Sequence, residues 1–208
     1  TEEMTAYTKL FAVYFIDVAV GQIDATNATG FTILGSNVLP NGDVLVAESN
    51  APAQHDAGSG LKGFVMGLVM ARAGAAVPSA DRITLLRDAD GDGVAETRSA
   101  FLTGLHSPFG MALVGDQLYV ANTDAVVAYR YTPGALSISS PAVTIARLPA
   151  GPINHHWTKD LIASSDGKFL FATVGSNSNV GENGMEAEQN RASVLRIDPQ
   201  SHRVSVFA

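Results

Sequence analysis

A short motif that occurs three times limits the folds open to this chain more than any other feature. In each copy, a turn containing Gly and Asp leads into an apolar strand that ends in small or polar residues. The copies are NGDVLVAES (41–49), VGDQLYVANT (114–123) and SDGKFLFATVGS (165–176). Their aligned alanines, Ala47, Ala121 and Ala172, lie 74 and 51 residues apart. This pattern indicates a strand that recurs in a repeated β unit.

The longer of the two intervals contains an insertion. Residues 60–79, GLKGFVMGLVMARAGAAVPS, lack the alternation of a strand and reach Pro78 near their end, so we predict a helix there. The insertion accounts for most of the difference between the intervals. The underlying repeat is therefore about 50 residues, which is the size of a β-propeller blade.

Other short segments rich in β-branched or aromatic residues lie between the copies, with turn signals separating them. These predicted strands are 82–86, 110–113, 125–131 and 193–197. We therefore predict an all-β fold, a β-propeller of four-stranded antiparallel blades, with about three to four blades and one helical insertion in a partial domain at residues 31–208. An open ring leaves blade edges unpaired, which predicts self-association.

Residues 1–30 are treated as a separate N-terminal segment with no assigned role. The apolar run Leu10–Ile16 is seven residues long. A membrane-spanning helix needs about 20 residues, so the run indicates a buried strand and no membrane span.

Charge and composition argue against several classes of function. A net charge of −7 and a pI near 5.1 disfavour binding to nucleic acid or to an anionic membrane. The chain has no cysteine, which excludes disulfides, thiolate metal sites and a cysteine nucleophile.

The segment with the densest chemistry is GPINHHWTKDL (151–161), where His155 and His156 precede Trp157, the only tryptophan. The segment forms a loop before the apolar strand 169–174, and a sheet gives such a loop a defined position. Histidine is a residue type that can take up or release a proton under physiological conditions, so a histidine there is a candidate general base. The alternative is a surface histidine that hydrogen-bonds a backbone carbonyl. Trp157 is interpreted either as blade packing or as a surface on which a cofactor stacks.

His106, in the segment LHSP (105–108), precedes the predicted strand 110–113. Equivalent loops of successive propeller blades converge on one central mouth, so His106 is a second candidate for the same cavity. The alternative interpretation is an exposed turn histidine.

The loop DADGDGVAE (88–96) has the ligand spacing of a calcium loop. Asp88, Asp90, Asp92 and Glu96 stand at positions one, three, five and nine, and Gly93 at position six. Position twelve is Ser99 in place of the usual bidentate glutamate. A weak structural calcium site and an empty turn both remain open.

Four motifs together resemble the sorbosone dehydrogenase-like branch of the soluble PQQ-dependent sugar dehydrogenases. They are PSADRITLLRDADGDGVAET (78–97), GLHSPFGMAL (104–113), LYVANTDAVVAYRY (118–131) and GPINHHWTKDLIASSDG (151–167). The resemblance implies a six-bladed propeller that uses PQQ and calcium to oxidise a sugar at its anomeric or aldehyde carbon, exported to the periplasm or secreted. It also implies that His156 is the general base. From their positions in the chain, His155, His106 and Trp157 are our candidates for contacts with the cofactor.

Two positions differ from the glucose-oxidising branch of that family. His155 stands where that branch has an aspartate before the base, and Ser176 stands where it has an acidic residue after the glycine of the next strand. An active-site arginine of the family is expected beyond Ala208. The resemblance thus implies that the chain is the N-terminal half of an enzyme whose electron acceptor is undefined. The competing hypothesis is a non-redox propeller, either a calcium-dependent lactonase-like hydrolase or a binding module.

Overall fold

The computed structural model of the protein describes residues 33–50, 81–151, 153–178 and 180–208. These residues form three four-stranded antiparallel sheets, one after another along the chain. Blade 1 consists of β1 (Ile33–Val38), β2 (Val44–Glu48), β3 (Arg82–Arg87) and β4 (Thr97–Leu102). Blade 2 consists of β5 (Met111–Val114), β6 (Gln117–Ala121), β7 (Ala125–Arg130) and β8 (Val143–Arg147). Blade 3 consists of β9 (Leu161–Ala163), β10 (Leu170–Val174), β11 (Ser193–Asp198) and β12 (Arg203–Val206), with a 3-10 turn at Met185–Glu188 between β10 and β11.

The first strands of the three sheets lie side by side. Strand β5 contacts both β1 and β9, and Asn37 Nδ2 donates a 2.9 Å hydrogen bond to the carbonyl of Met111 between β1 and β5. Within each sheet the strands follow in sequence order away from this inner strand. Sheets that meet at their first strands and extend outward are the blades of a propeller. The predicted fold is confirmed, because the described residues form three blades of a partial β-propeller.

Blade 2 packs against a neighbour on each face, which explains why its middle strands are almost entirely apolar. The residues that pack toward blade 1 are Leu118, Val120, Val127 and Tyr129. The alternate residues, which pack toward blade 3, are Tyr119, Ala121, Val126 and Ala128. Strand β10 instead alternates buried residues with more exposed ones, since one of its faces is covered by blade 2. The two larger hydrophobic cores therefore lie between successive blades, and a smaller cluster of Val44, Val46 and Leu86 lies on the other face of blade 1.

The predicted repeat corresponds to one strand of each blade. Ala47, Ala121 and Ala172 lie in β2, β6 and β10, the second strands, and all three are fully buried. Five strands were not singled out in the sequence, namely β1, β4, β8, β9 and β12. Strand β12 is only four residues long and is exposed throughout, so its sequence RVSV is too short for a reliable strand pattern.

Antiparallel strands reverse direction at every connection, so the connections gather alternately at two ends of the blades. We call one of these the upper end, and it carries the connections 103–110, 122–124, 148–160 and 175–192. We call the other the lower end, and it carries turns that include 39–43, 88–96, 115–116 and 164–169. The histidine segments are therefore at the upper end, and the acidic loop 88–96 is at the lower end.

Several predictions concern residues outside the described ranges, namely the helix at 60–79, the strand at 10–16 and the segment 1–30. Within the described ranges, no helix is long and apolar enough to cross a membrane. Strand β12 is the outermost strand of blade 3 and exposes Val204 and Val206. Self-association through such an edge remains a prediction.

Candidate active site

His156 lies in the connection between β8 and β9, with its side chain exposed at the upper end. Its Nδ1 is 2.7 Å from the carbonyl oxygen of Ser176, which is also the contact that the alternative interpretation, a surface histidine bonded to a backbone carbonyl, predicts. A carbonyl oxygen accepts hydrogen bonds and cannot donate them, so Nδ1 carries the proton in this contact. In the neutral ring, Nε2 is then unprotonated. That nitrogen is the proton acceptor that a general base requires.

The end of strand β10 is shaped to receive His156. A Cβ atom at Gly175 would lie 3.2 Å from Cγ of His156 and still closer to its Cβ, so only glycine leaves room for the imidazole. The orienting group is the backbone of Ser176, one of the two positions that differ from the glucose-oxidising branch. The glucose-oxidising branch has an acidic side chain at this position. Here the backbone carbonyl of Ser176 orients the ring, so no acidic side chain is needed for that purpose.

The two neighbours of His156 differ in their environments. His155 is exposed, whereas Trp157 is half-buried. The Trp157 carbonyl accepts hydrogen bonds from Thr123 Oγ1 at 3.0 Å and from Lys159 Nζ at 3.2 Å. The backbone of this turn is therefore fixed from inside the protein, while both imidazoles remain accessible.

His106 lies in the neighbouring upper connection, and its ring contacts a carboxylate. Its Nδ1 is 3.2 Å from Asp124 Oδ1, with the His106 side chain 61% exposed. Its backbone carbonyl accepts a 3.0 Å hydrogen bond from the amide of Thr123. Thr123 thus contacts both histidine segments, since its hydroxyl donates to Trp157. Sequence inspection did not identify Asp124 as the partner, although its position directly after the strand in the ANTD segment (121–124) was the available signal.

A close backbone approach brings these two connections together. The amide of Gly110 donates a 3.0 Å hydrogen bond to the carbonyl of Lys159. A Cβ atom on Gly110 would lie 2.7–2.8 Å from backbone atoms of Asp160 and closer still to the amide nitrogen of Leu161. Four of the predicted site residues therefore lie on one end of adjacent blades: His106, His155, His156 and Trp157.

The long connection 175–192 is held by the carboxylate of Glu188. Glu188 accepts hydrogen bonds from the amide of Asn177, at 2.8 Å, and from Ser178 Oγ. The Ser178 contact is the main reason that the pKa of Glu188 is lowered. Asn177 is buried, and among the described residues its Oδ1 has no hydrogen-bond partner.

Sequence inspection did not identify a pair of buried cations near the histidines. Lys159 is fully buried and Arg191 is 7% exposed. Burial lowers the pKa of Lys159 from 10.5 to about 8, and the positive charge of Arg191 contributes to the shift. Burial also lowers the pKa of Arg191, and the charge of Glu188 partly offsets this. No sequence pattern marks either residue, because lysine and arginine are usually exposed.

The lowered pKa of Lys159 predicts a specific pH dependence of stability. The unfolded chain binds this proton up to about pH 10.5 and the folded chain releases it near pH 8, so unfolded protein holds more protons between these values. The free energy of unfolding should therefore rise with pH in that window. Urea unfolding at pH 7.5–9.5 should show this rise of the unfolding free energy with pH in the wild-type protein. The rise should disappear in Lys159→Met and remain in Lys168→Met, which removes an exposed lysine. Equal pH slopes in wild type and Lys159→Met would contradict the assignment.

The acidic loop is a β-hairpin connection between β3 and β4 at the lower end. Ligand oxygens of Asp88, Asp90, Asp92 and Glu96 lie within 4.8 Å of one another, and all four residues are exposed. Side chains of the loop also accept hydrogen bonds from its own backbone. The two Asp88 carboxylate oxygens accept from the amides of Gly91 and Gly93 at 2.7 and 2.8 Å. These hydrogen bonds lower the pKa of Asp88. A set of four hard oxygen donors suits calcium, which takes six to eight oxygens, with water supplying the rest.

A family model described as a domain of unknown function, DUF7133, matches residues 37–208. No curated protein matches the chain in sequence. Among solved structures, the holo PQQ domain of pyranose dehydrogenase from Coprinopsis cinerea is 16% identical, with a TM-score of 0.57 over 83% of this chain and 35% of that one. The calcium structure of a Trichoderma reesei carbohydrate-active enzyme of family AA12 is also 16% identical, with a TM-score of 0.58 over 84% and 37%.

A gluconolactonase from Xanthomonas campestris is 15% identical, with a TM-score of 0.46 over 85% of this chain and 48% of that one. This similarity is too low to support an argument. The other two structures, at 16% identity, establish the propeller fold and nothing beyond it. The chain spans about a third of the length of those two structures.

Proposed function

The chain belongs to the DUF7133 family, and we propose that this member is part of a PQQ-dependent dehydrogenase that oxidises an aldose or a sorbosone-type sugar. The sequence motifs shared with soluble PQQ-dependent sugar dehydrogenases support this, as does the fold similarity to a PQQ domain. By the same resemblance, we propose that the protein is periplasmic or secreted.

One observation carries the proposal, which is the contact between His156 Nδ1 and the Ser176 carbonyl. It assigns the proton to Nδ1 and leaves Nε2 of an exposed ring as an acceptor. Oxidation of a sugar carbon that bears a hydroxyl requires a base for the hydroxyl proton. His156 meets this requirement without a carboxylate partner. A surface histidine bonded to a backbone carbonyl would make the same contact, so the loss of turnover on replacement of His156 is what separates the two interpretations.

The side chains at the upper end suit an aromatic, anionic cofactor. His155 and His106 offer N–H donors, and Trp157 offers a flat apolar surface. The positive charges of Lys159 and Arg191 lie beneath the same segment. When bound, PQQ supplies a two-electron acceptor for the hydride that leaves the sugar. The part of this chain is to orient the sugar hydroxyl and to take up its proton.

The described residues favour this reaction over a metal-dependent lactonase. Such a hydrolase needs acidic ligands that converge at the mouth. Three of the carboxylates at the upper end already have partners: Glu48 is paired with Arg82 at 2.9 Å, Glu188 accepts from the amide of Asn177, and Asp124 contacts an imidazole. Within the described ranges, the one group of three or more potential metal ligands is the acidic loop at the opposite end.

The proposal is tested with the full native chain that contains these residues. The apoprotein should reduce a dye acceptor in the presence of sorbosone or an aldose only after addition of PQQ and calcium. An assay of lactone hydrolysis under the same conditions serves as the comparison. Lactone hydrolysis without any PQQ-dependent oxidation would refute the proposed reaction and support the competing hydrolase.

We also propose that the acidic loop binds a structural calcium ion. An ion that binds only the folded state at 100 times its Kd stabilises a protein by about 2.7 kcal/mol, so the Tm should rise by several degrees. The double variant Asp90→Ala, Asp92→Ala should abolish this rise in a thermal scan. Asp166→Ala, in another lower-end turn, should retain it. If the Tm of the wild-type protein does not change on addition of calcium, the loop is a turn that does not bind the ion.

A further inference from the structure

Two buried cations lie beneath the turn 153–157, which carries the candidate base. Lys159 has no exposed surface, and Arg191 is 7% exposed. Neither forms an ion pair with a carboxylate anywhere in the described ranges. A buried ammonium or guanidinium normally requires an opposite charge, because desolvation of each ion costs several kcal/mol. The charge of Glu188 offsets only part of the desolvation of Arg191, so hydrogen bonds must supply the remaining stabilisation of the two cations.

Their hydrogen bonds converge on the turn from two sides. Lys159 Nζ lies 3.3 Å from the carbonyl of His156 and 3.2 Å from the carbonyl of Trp157. Arg191 Nη1 donates to Asn154 Oδ1 at 3.1 Å, just before the histidine pair. Hydrogen bonds to charged donors are about twice as strong as neutral ones, especially in a low-dielectric interior. The carbonyls of His156 and Trp157 point toward the interior, and the imidazole of His156 lies on the exposed side of the turn.

We propose that Lys159 and Arg191 are positioning residues that together fix the turn 153–157 and so hold the His156 ring against the Ser176 carbonyl. We refer to the two as the cationic clamp. The clamp does not touch the substrate, and it acts through the backbone of His156. The effect of the clamp on turnover rests on the proposed function, whereas its effect on the His156 ring can be measured without an activity assay.

A hydrogen-bond network links the clamp to the neighbouring blade. Asn154 Nδ2 donates to Thr123 Oγ1 at 2.8 Å, and Thr123 donates in turn to the carbonyl of Trp157. The amide of Thr123 also holds the carbonyl of His106. The clamp thereby fixes the His156 turn relative to a residue of blade 2, as well as within its own blade.

The test measures the tautomer of His156 by ¹⁵N–¹H NMR of its ring nitrogens in the full native chain. The variants are Lys159→Met and Arg191→Met, which keep an unbranched chain and remove the charge and the donors. Each replacement also removes the desolvation cost of a buried charge that has no ion-pair partner, so we expect folded protein. Lys168→Met, which removes an exposed lysine at the lower end, is the matched control.

In the wild-type protein and in the control, the Nδ1-protonated tautomer of His156 should predominate. Each clamp variant should give mixed or exchange-broadened tautomers, with kcat lowered roughly 10- to 100-fold and KM changed little, as expected when a reacting group is misplaced by about 1 Å. An unchanged tautomer in a folded Lys159→Met protein would overturn the inference. If that variant does not fold, Arg191→Met decides in the same way. A wild-type protein without PQQ-dependent turnover but with a clamp-dependent tautomer would refute the proposed function alone.

Discussion

Replacement of His156 by glutamine should lower kcat by about 10²–10⁴-fold in the full native chain saturated with PQQ and calcium, the range typical for loss of a general base. The amide is similar in size and can hydrogen-bond, but it does not accept a proton at neutral pH. The sugar hydroxyl then has no base as its carbon loses hydride. Cofactor affinity should change little, because the proposed role of His156 is to accept the hydroxyl proton and not to bind the cofactor. Its ring is held by the Ser176 carbonyl. Steady-state kinetics and PQQ titration measure the two effects separately.

The neighbouring histidine provides a matched control. His155→Gln removes an exposed imidazole from the same turn while leaving the contact between His156 and Ser176 intact. We expect it to lower kcat less than tenfold, with any larger effect on the affinity for PQQ. Near-full turnover of His156→Gln would show that the base is another residue. His106, whose ring contacts Asp124, would then be the first alternative.

The Gly110→Ala variant should show the largest loss of stability. The new Cβ would lie 2.7–2.8 Å from backbone atoms of Asp160 and closer to the amide of Leu161, and a main chain cannot rotate away as a side chain can. Overpacking of a core costs about 1–3 kcal/mol, and a collision with backbone belongs at or above the top of that range. Urea unfolding should show this loss. The hydrogen bond from the Gly110 amide to the Lys159 carbonyl should also weaken as blades 2 and 3 separate.

Gly151→Ala is the control for that substitution. A Cβ atom there has no atom within 4 Å, and the residue lies in the same upper connection as the histidines. Its unfolding free energy should stay within about 0.5 kcal/mol of wild type, as for most substitutions away from packed features. Equal stability of Gly110→Ala and Gly151→Ala would mean that the two inner strands do not approach each other as closely as described.

The architecture could be predicted from the sequence because it depends on a repeated local pattern. A strand that lies between two blades must be apolar on both faces, as in LYVA (118–121) of blade 2, and the turn before it needs Gly and Asp. The three copies of that pattern identified the second strands, including the fully buried Ala47, Ala121 and Ala172. Strand β12 was missed, because it is only four residues long and all four residues are exposed.

The sequence by itself thus determined the all-β repeat, the blade size and the histidine segment, because each is encoded in residues close together in the chain. Tertiary structure alone decided how that segment is arranged. The group that orients His156 is the carbonyl of Ser176, 20 residues away, and any amino acid carries a carbonyl. Lys159 and Arg191 likewise look like surface residues until the packing of two blades buries them. Contacts made by the backbone, and burial produced by distant strands, leave no residue-specific mark in the sequence, so they emerge only when the blades assemble.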